Sequence, residues 1–223
     1  MRTPSTLPRP RIWVLIPIAI VCMLPHPRCP ADTPEPDQAP TAATRTLEQL
    51  LVQSERSVVK LYGAGGARGL ESYQSGVVIG DGTLILTTWS TVLDVDQVRV
   101  VTFDGRRLDA EVAGVDPQCE LALLRIPDAG LVGFALDPPS QVRVGQRVFA
   151  ITNLFGIAAG NEQCSAQKGV VMALSPLTTR KGSMKTLYQG RVIVIDVMTN
   201  NPGATGGALI DLSGNLIGVI GKE

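Results

Sequence analysis

The chemistry open to this chain is bounded by its scarcest side chains. It carries one histidine, His26, and five lysines, Lys60, Lys168, Lys181, Lys185 and Lys222. An alcohol is almost un-ionised at neutral pH, so a serine or threonine attacks a carbonyl only when a neighbouring base takes its proton and later returns it to the leaving group. Imidazole suits that exchange best, but His26 lies in a stretch that reads as a cleavable leader. A lysine serves as base only when burial strips its proton. Lys181 and Lys185 sit in the polar stretch 178–186, and nothing around any of the five suggests burial, so each is expected as a solvated surface charge. The four cysteines do not make a zinc site: beyond the leader only Cys119 and Cys164 remain, with no histidine to complete a tetrahedral set. No metal, cofactor or nucleotide motif is found, and none of these groups is expected.

The elements that must position any site read as strands. The 223 residues are 44% hydrophobic and only 4% aromatic, with Gly 23 and Pro 16, a balance that suits short strands and tight turns better than a helical bundle. Leu47, Leu50, Leu51 and Ser54 recur at helical spacing and predict a short amphipathic helix over 46–56, leading into a strand over 57–62. Three two-residue turn signals then each separate a pair of apolar runs: Asp81-Gly82 between 77–79 and 84–86, Asp104-Gly105 between 98–103 and 108–115, and Ser213-Gly214 between 208–210 and 216–220. Successive hairpins without βαβ alternation predict an all-β Greek-key or barrel architecture and exclude a dinucleotide-binding sheet.

The first 31 residues have the layout of a signal peptide: Arg2, Arg9 and Arg11 precede an apolar run from Ile12 to Leu24, too short to be the usual span of about 20 residues. An uncleaved N-terminal tether is the alternative, with Pro17 inside the run arguing against it. Residues 32–44, rich in Pro, Ala, Thr and acids, read as a linker. Cleavage near Ala31 would remove four of the 20 basic residues and none of the 20 acidic ones. The mature chain would be mildly acidic, which excludes a phosphate-backbone footprint and hence nucleic acid as partner. In an exported chain Cys119 and Cys164 either pair or stay as separate buried thiols; the sequence leaves both open.

Five segments, in order, resemble the trypsin-like protease domain of the HtrA/DegP family: Gln74-Ser75-Gly76-Val77-Val78-Ile79 with Leu84-Ile85-Leu86-Thr87; Asp116-Pro117 with Leu121-Ala122-Leu123-Leu124-Arg125; Val144-Gly145; Asn153-Leu154-Phe155-Gly156; and Asn201-Pro202-Gly203-Ala204-Thr205-Gly206-Gly207-Ala208-Leu209. The resemblance covers nearly all of the chain beyond the linker. It implies two packed six-stranded Greek-key barrels of the chymotrypsin type within 45–223, the first over about 57–135 and the second over about 141–223. In the family a further strand follows, so the second barrel is expected to be truncated after Ala208–Ile220, the chain being a fragment or its barrel closed by a neighbour.

The resemblance also places three catalytic positions, and this sequence departs at each. Ser90 stands where the family has its histidine, Glu120 where it has aspartate, and Thr205 where it has the nucleophilic serine. One extra residue lies between Asp196 and Pro202. Ser90 cannot act as a base, Glu120 would have no imidazole to orient, and the β-methyl of Thr205 crowds the attack path. The family's oxyanion hole maps onto the backbone N–H groups of Gly203 and Thr205. Their survival, and with it peptide binding, stands against the reading that these glycines serve only the turn. Trp89 is expected in the core, and Leu154 and Phe155 against the second barrel. The function implied is an exported, catalytically inactive pseudoprotease that binds peptides or protein partners. The alternatives are a weak endopeptidase using Thr205 with a non-histidine base, and a structural subunit pairing with an active paralogue. Oligomerisation is left open.

Overall fold

The computed structural model describes residues 46–64, 72–127, 129–136, 141–176, 180–181, 184–185 and 190–221. The leader, the linker and Lys222 lie outside the described residues.

Helix α1 spans Leu47–Glu55 and opens with a capping box: the Thr46 hydroxyl accepts from the Gln49 N–H at 3.2 Å, and the Gln49 side chain accepts from the Thr46 N–H at 3.1 Å. Of the predicted apolar face, Leu50 and Ser54 are buried and Leu51 is half-buried, while Leu47 is exposed over a groove towards Ile151 and Cys164.

Six strands follow and close into a barrel. They are β1 (Val58–Tyr62), β2 (Tyr73–Ile79), β3 (Leu84–Thr88), β4 (Val98–Val101), β5 (Arg107–Asp116) and β6 (Leu121–Arg125), all antiparallel in the order β1-β2-β3-β6-β5-β4, with β4 returning to β1. Alternation of side chains sorts the apolar residues. Val59, Leu61, Val78, Ile85, Val100 and Leu124 fill the barrel, whereas Val58, Val77 and Ile79 point outwards into a second core shared with Leu50, Phe149, Ile151 and Ile210.

The second half comprises β7 (Arg147–Thr152), β8 (Ser165–Pro176), a small hairpin of β9 (Arg180–Lys181) and β10 (Met184–Lys185), β11 (Arg191–Ile195), β12 (Ala208–Ile210) and β13 (Leu216–Val219). Its main sheet runs β11-β8-β7-β12-β13. β7 feeds two cores by the same alternation: Val148 and Ala150 face the interior of this sheet with Val171 and Leu209, while Phe149 and Ile151 face the first barrel. The all-β, two-barrel architecture holds. The first barrel has its six strands; the second is a curled five-stranded sheet among the described residues.

The hairpins lie where expected but their turns are longer. Ile79 pairs with Leu84, Val101 with Arg107 and Ile210 with Leu216, leaving four or five residues in each loop instead of two. In each loop the glycine of the dipeptide takes a positive φ (Gly82, Gly105, Gly214). In the first and third, an aspartate side chain closes the loop by accepting backbone N–H bonds, Asp81 from Thr83 and Asp211 from Ser213 and Asn215.

Candidate functional site

The two halves face each other across a cleft of about 260 Å³. Tyr73, Gln74 and Ser90 line it from the first barrel; Asn200, Asn201 and Thr205 line it from the second half.

Gln74, on β2, is buried, and its amide organises the first wall. Its Nε2 donates to Thr87 Oγ1 (2.8 Å) and to the Thr88 carbonyl (3.0 Å), and Thr87 Oγ1 donates onward to the Ser75 carbonyl (2.7 Å). Its Oε1 accepts from Ser90 Oγ at 2.5 Å. Ser90 Oγ in turn accepts from the Val92 N–H at 3.2 Å and caps the 3₁₀ turn Thr91–Leu93. The Ser90 proton is therefore given to a neutral amide.

The opposite wall is the turn 201–207. Asn201 Oδ1 accepts from Phe155 N–H (2.9 Å) and Gly203 N–H (3.0 Å). The Ala204, Thr205 and Gly207 N–H groups donate to the carbonyls of Asn201, Pro202 and Ala204, and Gly206 N–H donates to that of Ile220. The two donors expected to form an oxyanion hole, at Gly203 and Thr205, are thus both engaged inside the turn. The turn docks on β2 through Ser75, whose N–H donates to the Thr205 carbonyl (2.9 Å) and whose hydroxyl donates to the Gly203 carbonyl (2.7 Å). Glycine is required at two points here. A Cβ on Gly203 would stand 1.8 Å from the Asn153 carbonyl oxygen, and one on Gly206, at φ +80°, 2.1 Å from that of Ser75. The Thr205 side chain is buried but reaches the cleft, and its hydroxyl has no hydrogen-bond partner among the described residues.

Ser90 and Thr205 thus meet across one cleft, and Glu120 does not join them. Glu120 sits at a positive φ of 53° between β5 and β6, with its carbonyl accepting from the Trp89 N–H at 2.9 Å, and its side chain is not part of the cleft wall.

Three expectations about side-chain environment fail. Trp89 is 44% exposed and Phe155 62% exposed, while only Leu154 of the Leu-Phe pair joins the second core. Phe155 adopts φ +56°, its N–H turned into Asn201, which leaves the ring facing solvent. Lys60 is 0% exposed, although a surface charge was expected; its ammonium donates to the carbonyls of Gly160 and Glu162, each at 2.8 Å. Lys168 is exposed on β8, and only the backbone is described at Lys181 and Lys185. No described lysine side chain lines the cleft.

Both described cysteines are free thiols, Cys119 exposed and Cys164 half-buried. Burial pushes the Cys164 thiol up to about 12. Thiolate is the reactive form, so iodoacetamide at pH 8 is expected to alkylate Cys119 and leave Cys164 unmodified until the chain is unfolded. Peptide mass mapping before and after denaturation reads this directly.

Sequence reasoning missed Tyr73, Gln74, Asn200 and Asn201 as cleft residues. Gln74 and Asn201 belong to the motifs that carry the resemblance, but nothing in residue type alone marks either as a wall of the cleft. Comparison with known proteins supplies the wider frame. A family model described as a trypsin-like peptidase domain matches residues 74–219. The "Probable periplasmic serine endoprotease DegP-like" protein of Brucella suis is 35% identical over 147 residues, covering 65% of this chain and 26% of the relative. The periplasmic serine endoprotease DegP of Escherichia coli is 31% identical over 159 residues, covering 70% and 31% respectively. The chain therefore spans about a quarter to a third of the length of these curated relatives. Among solved structures, the HtrA-type protease AlgW with a tripeptide superposes with a TM-score of 0.63 at 28% identity, over 78% of this chain and 54% of that one.

Proposed function

From the premise that the chain belongs to the trypsin-like peptidase domain family and is HtrA-like, we propose that it is an exported pseudoprotease that binds peptide segments in its inter-barrel cleft without cutting them. The observation that carries this reading is the hydrogen bond from Ser90 Oγ to Gln74 Oε1. Where the resemblance puts the family's imidazole, this chain has a hydroxyl that donates to a neutral amide, and among the described residues no side chain of the cleft is a base able to take the Thr205 proton at neutral pH. The buried Lys60 does not substitute, because its ammonium is committed to two carbonyls in the segment 160–162 and lies outside the cleft wall. The engaged N–H groups of Gly203 and Thr205 argue in the same direction.

Binding is favoured by the shape that remains, a cleft between the two halves lined by polar side chains. Export is supported by the leader-like N-terminus together with the periplasmic naming of the relatives. The test is equilibrium binding of fluorescein-labelled casein peptides, followed by polarisation and then by mass spectrometry of the mixture. The expected result is saturable binding with every peptide recovered intact. Peptides that fail to bind, or that are recovered in pieces, would overturn the proposal.

A further inference from the structure

The chemistry of the cleft wall goes further than its shape, and the following rests on the peptide-binding reading above. Among the described residues, no carboxylate, ammonium, imidazole or guanidinium lines the cleft. Its polar groups are amides from Gln74, Asn200 and Asn201 and hydroxyls from Tyr73, Ser90, Thr91, Thr199 and Thr205, with Val92 and Pro202 the apolar remainder. These polar groups are not equally available. Gln74 Oε1 is taken by the Ser90 hydroxyl and Gln74 Nε2 by Thr87 Oγ1 and the Thr88 carbonyl. On the facing wall, by contrast, the Thr205 hydroxyl, the Asn201 Nδ2 and the Asn200 amide make no hydrogen bond to a described residue. Donor and acceptor capacity therefore converges from one side on a space of about 260 Å³. That is below the roughly 300–1,000 Å³ of pockets for drug-sized ligands, and suits one side chain with its flanking backbone.

We propose that this cleft selects an uncharged hydrogen-bonding side chain, the carboxamide of Gln or Asn or the hydroxyl of Ser or Thr, from the bound peptide. A carboxamide both donates and accepts, so it can answer the Thr205 hydroxyl and the two asparagine amides together. A carboxylate can only accept, and it would be desolvated with no countercharge in the wall; an ammonium can only donate and meets the same cost. A leucine would leave the buried Thr205 hydroxyl and Asn201 Nδ2 unpaired, while the exposed Asn200 amide would keep water. Sites built to hydrogen-bond a ligand reject analogues that leave their polar groups unpaired far more strongly than apolar pockets discriminate size.

The test uses N-acetylated, C-amidated octapeptides identical except for a central Gln, Thr, Glu, Lys or Leu, titrated against the full chain by fluorescence polarisation. The Gln- and Thr-centred peptides are expected to bind at least about tenfold more tightly than the other three. Thr205→Val, which keeps the side-chain shape, should shrink that margin, and Asn200→Asp should shift preference towards the Lys-centred peptide. If Glu-, Lys- or Leu-centred peptides bind as well as the Gln-centred one, the selection is wrong while the peptide-binding reading stands. If no peptide in the series binds, both fall together. A margin unchanged by Thr205→Val and a preference unmoved by Asn200→Asp would also overturn the selection, because these wall groups would then not be its source.

Discussion

Casein is expected to be cleaved no faster by this chain than by its Thr205→Ala variant, and at least about 10⁴-fold more slowly than by a relative with an intact Ser–His–Asp triad. The magnitude comes from the proton. Removing the Thr205 proton during attack needs an acceptor in the cleft, and the side chain facing it from the first barrel, Ser90, is both non-basic and tied to Gln74. Because triad members act as a unit, substitution at three positions need not cost more than substitution at one. Hydrolysis above background that disappears in Thr205→Ala would remove the pseudoprotease reading.

Restoring the three residue types together, Ser90→His, Glu120→Asp and Thr205→Ser, is a sharper version of the same experiment. The triple variant is expected to remain at least about 100-fold below an active relative, because one missing oxyanion donor alone costs about 10²–10³ in turnover. Here the Gly203 N–H is held by Asn201 Oδ1 and the Thr205 N–H by the Pro202 carbonyl. The carboxylate at position 120 also starts outside the cleft wall. A histidine at 90 must further give up the cap on the 3₁₀ turn Thr91–Leu93. A triple variant with the full activity of a relative would show that the turn 201–207 opens readily when substrate binds.

The strands were legible because they are written locally: apolar runs broken by Asp-Gly and Ser-Gly fix where β2–β3, β4–β5 and β12–β13 fold back. The meeting of Ser90 with Thr205 is not written locally; only the family resemblance pointed to those two positions, and it is the docking of the Asn201–Gly207 turn on β2 that brings them to one cleft. Loop length was not legible, since the Asp81 and Asp211 side chains that cap the wider loops also occur in tight turns. Gln74 escaped notice because its role depends on partners 13, 14 and 16 residues away, which the β2–β3 register sets and residue type does not. Phe155 misled for a different reason. An aromatic residue next to a buried leucine suggests burial, but a positive φ at this position turns the ring outwards.

Lys60 is the largest departure from expectation in the fold itself, and Lys60→Met is expected to lower the free energy of unfolding by about 3 kcal/mol, read by urea denaturation. The run Val58-Val59-Lys60-Leu61 reads as a buried strand interrupted by one surface charge, yet Lys60 is as buried as its neighbours. The chain tolerates this because the ammonium reaches two carbonyls, at Gly160 and Glu162, about 100 residues further on. Tyr62 assists two residues along the same strand, donating to the Ala158 carbonyl at 2.8 Å. Together these bonds clamp the segment 158–162 onto β1. Methionine keeps the length and the apolar stem but gives up both hydrogen bonds from the ammonium to the part-buried carbonyls, and hydrogen bonds to a charged group are worth about 1.5–3 kcal/mol. The loss should be local as well as global: amide hydrogen exchange is expected to quicken first in 157–164, while β6, opposite β1 in the barrel, stays protected. A variant as stable as the parent, with unchanged exchange in that segment, would mean that water replaces the ammonium without penalty and that the clamp contributes nothing to the fold.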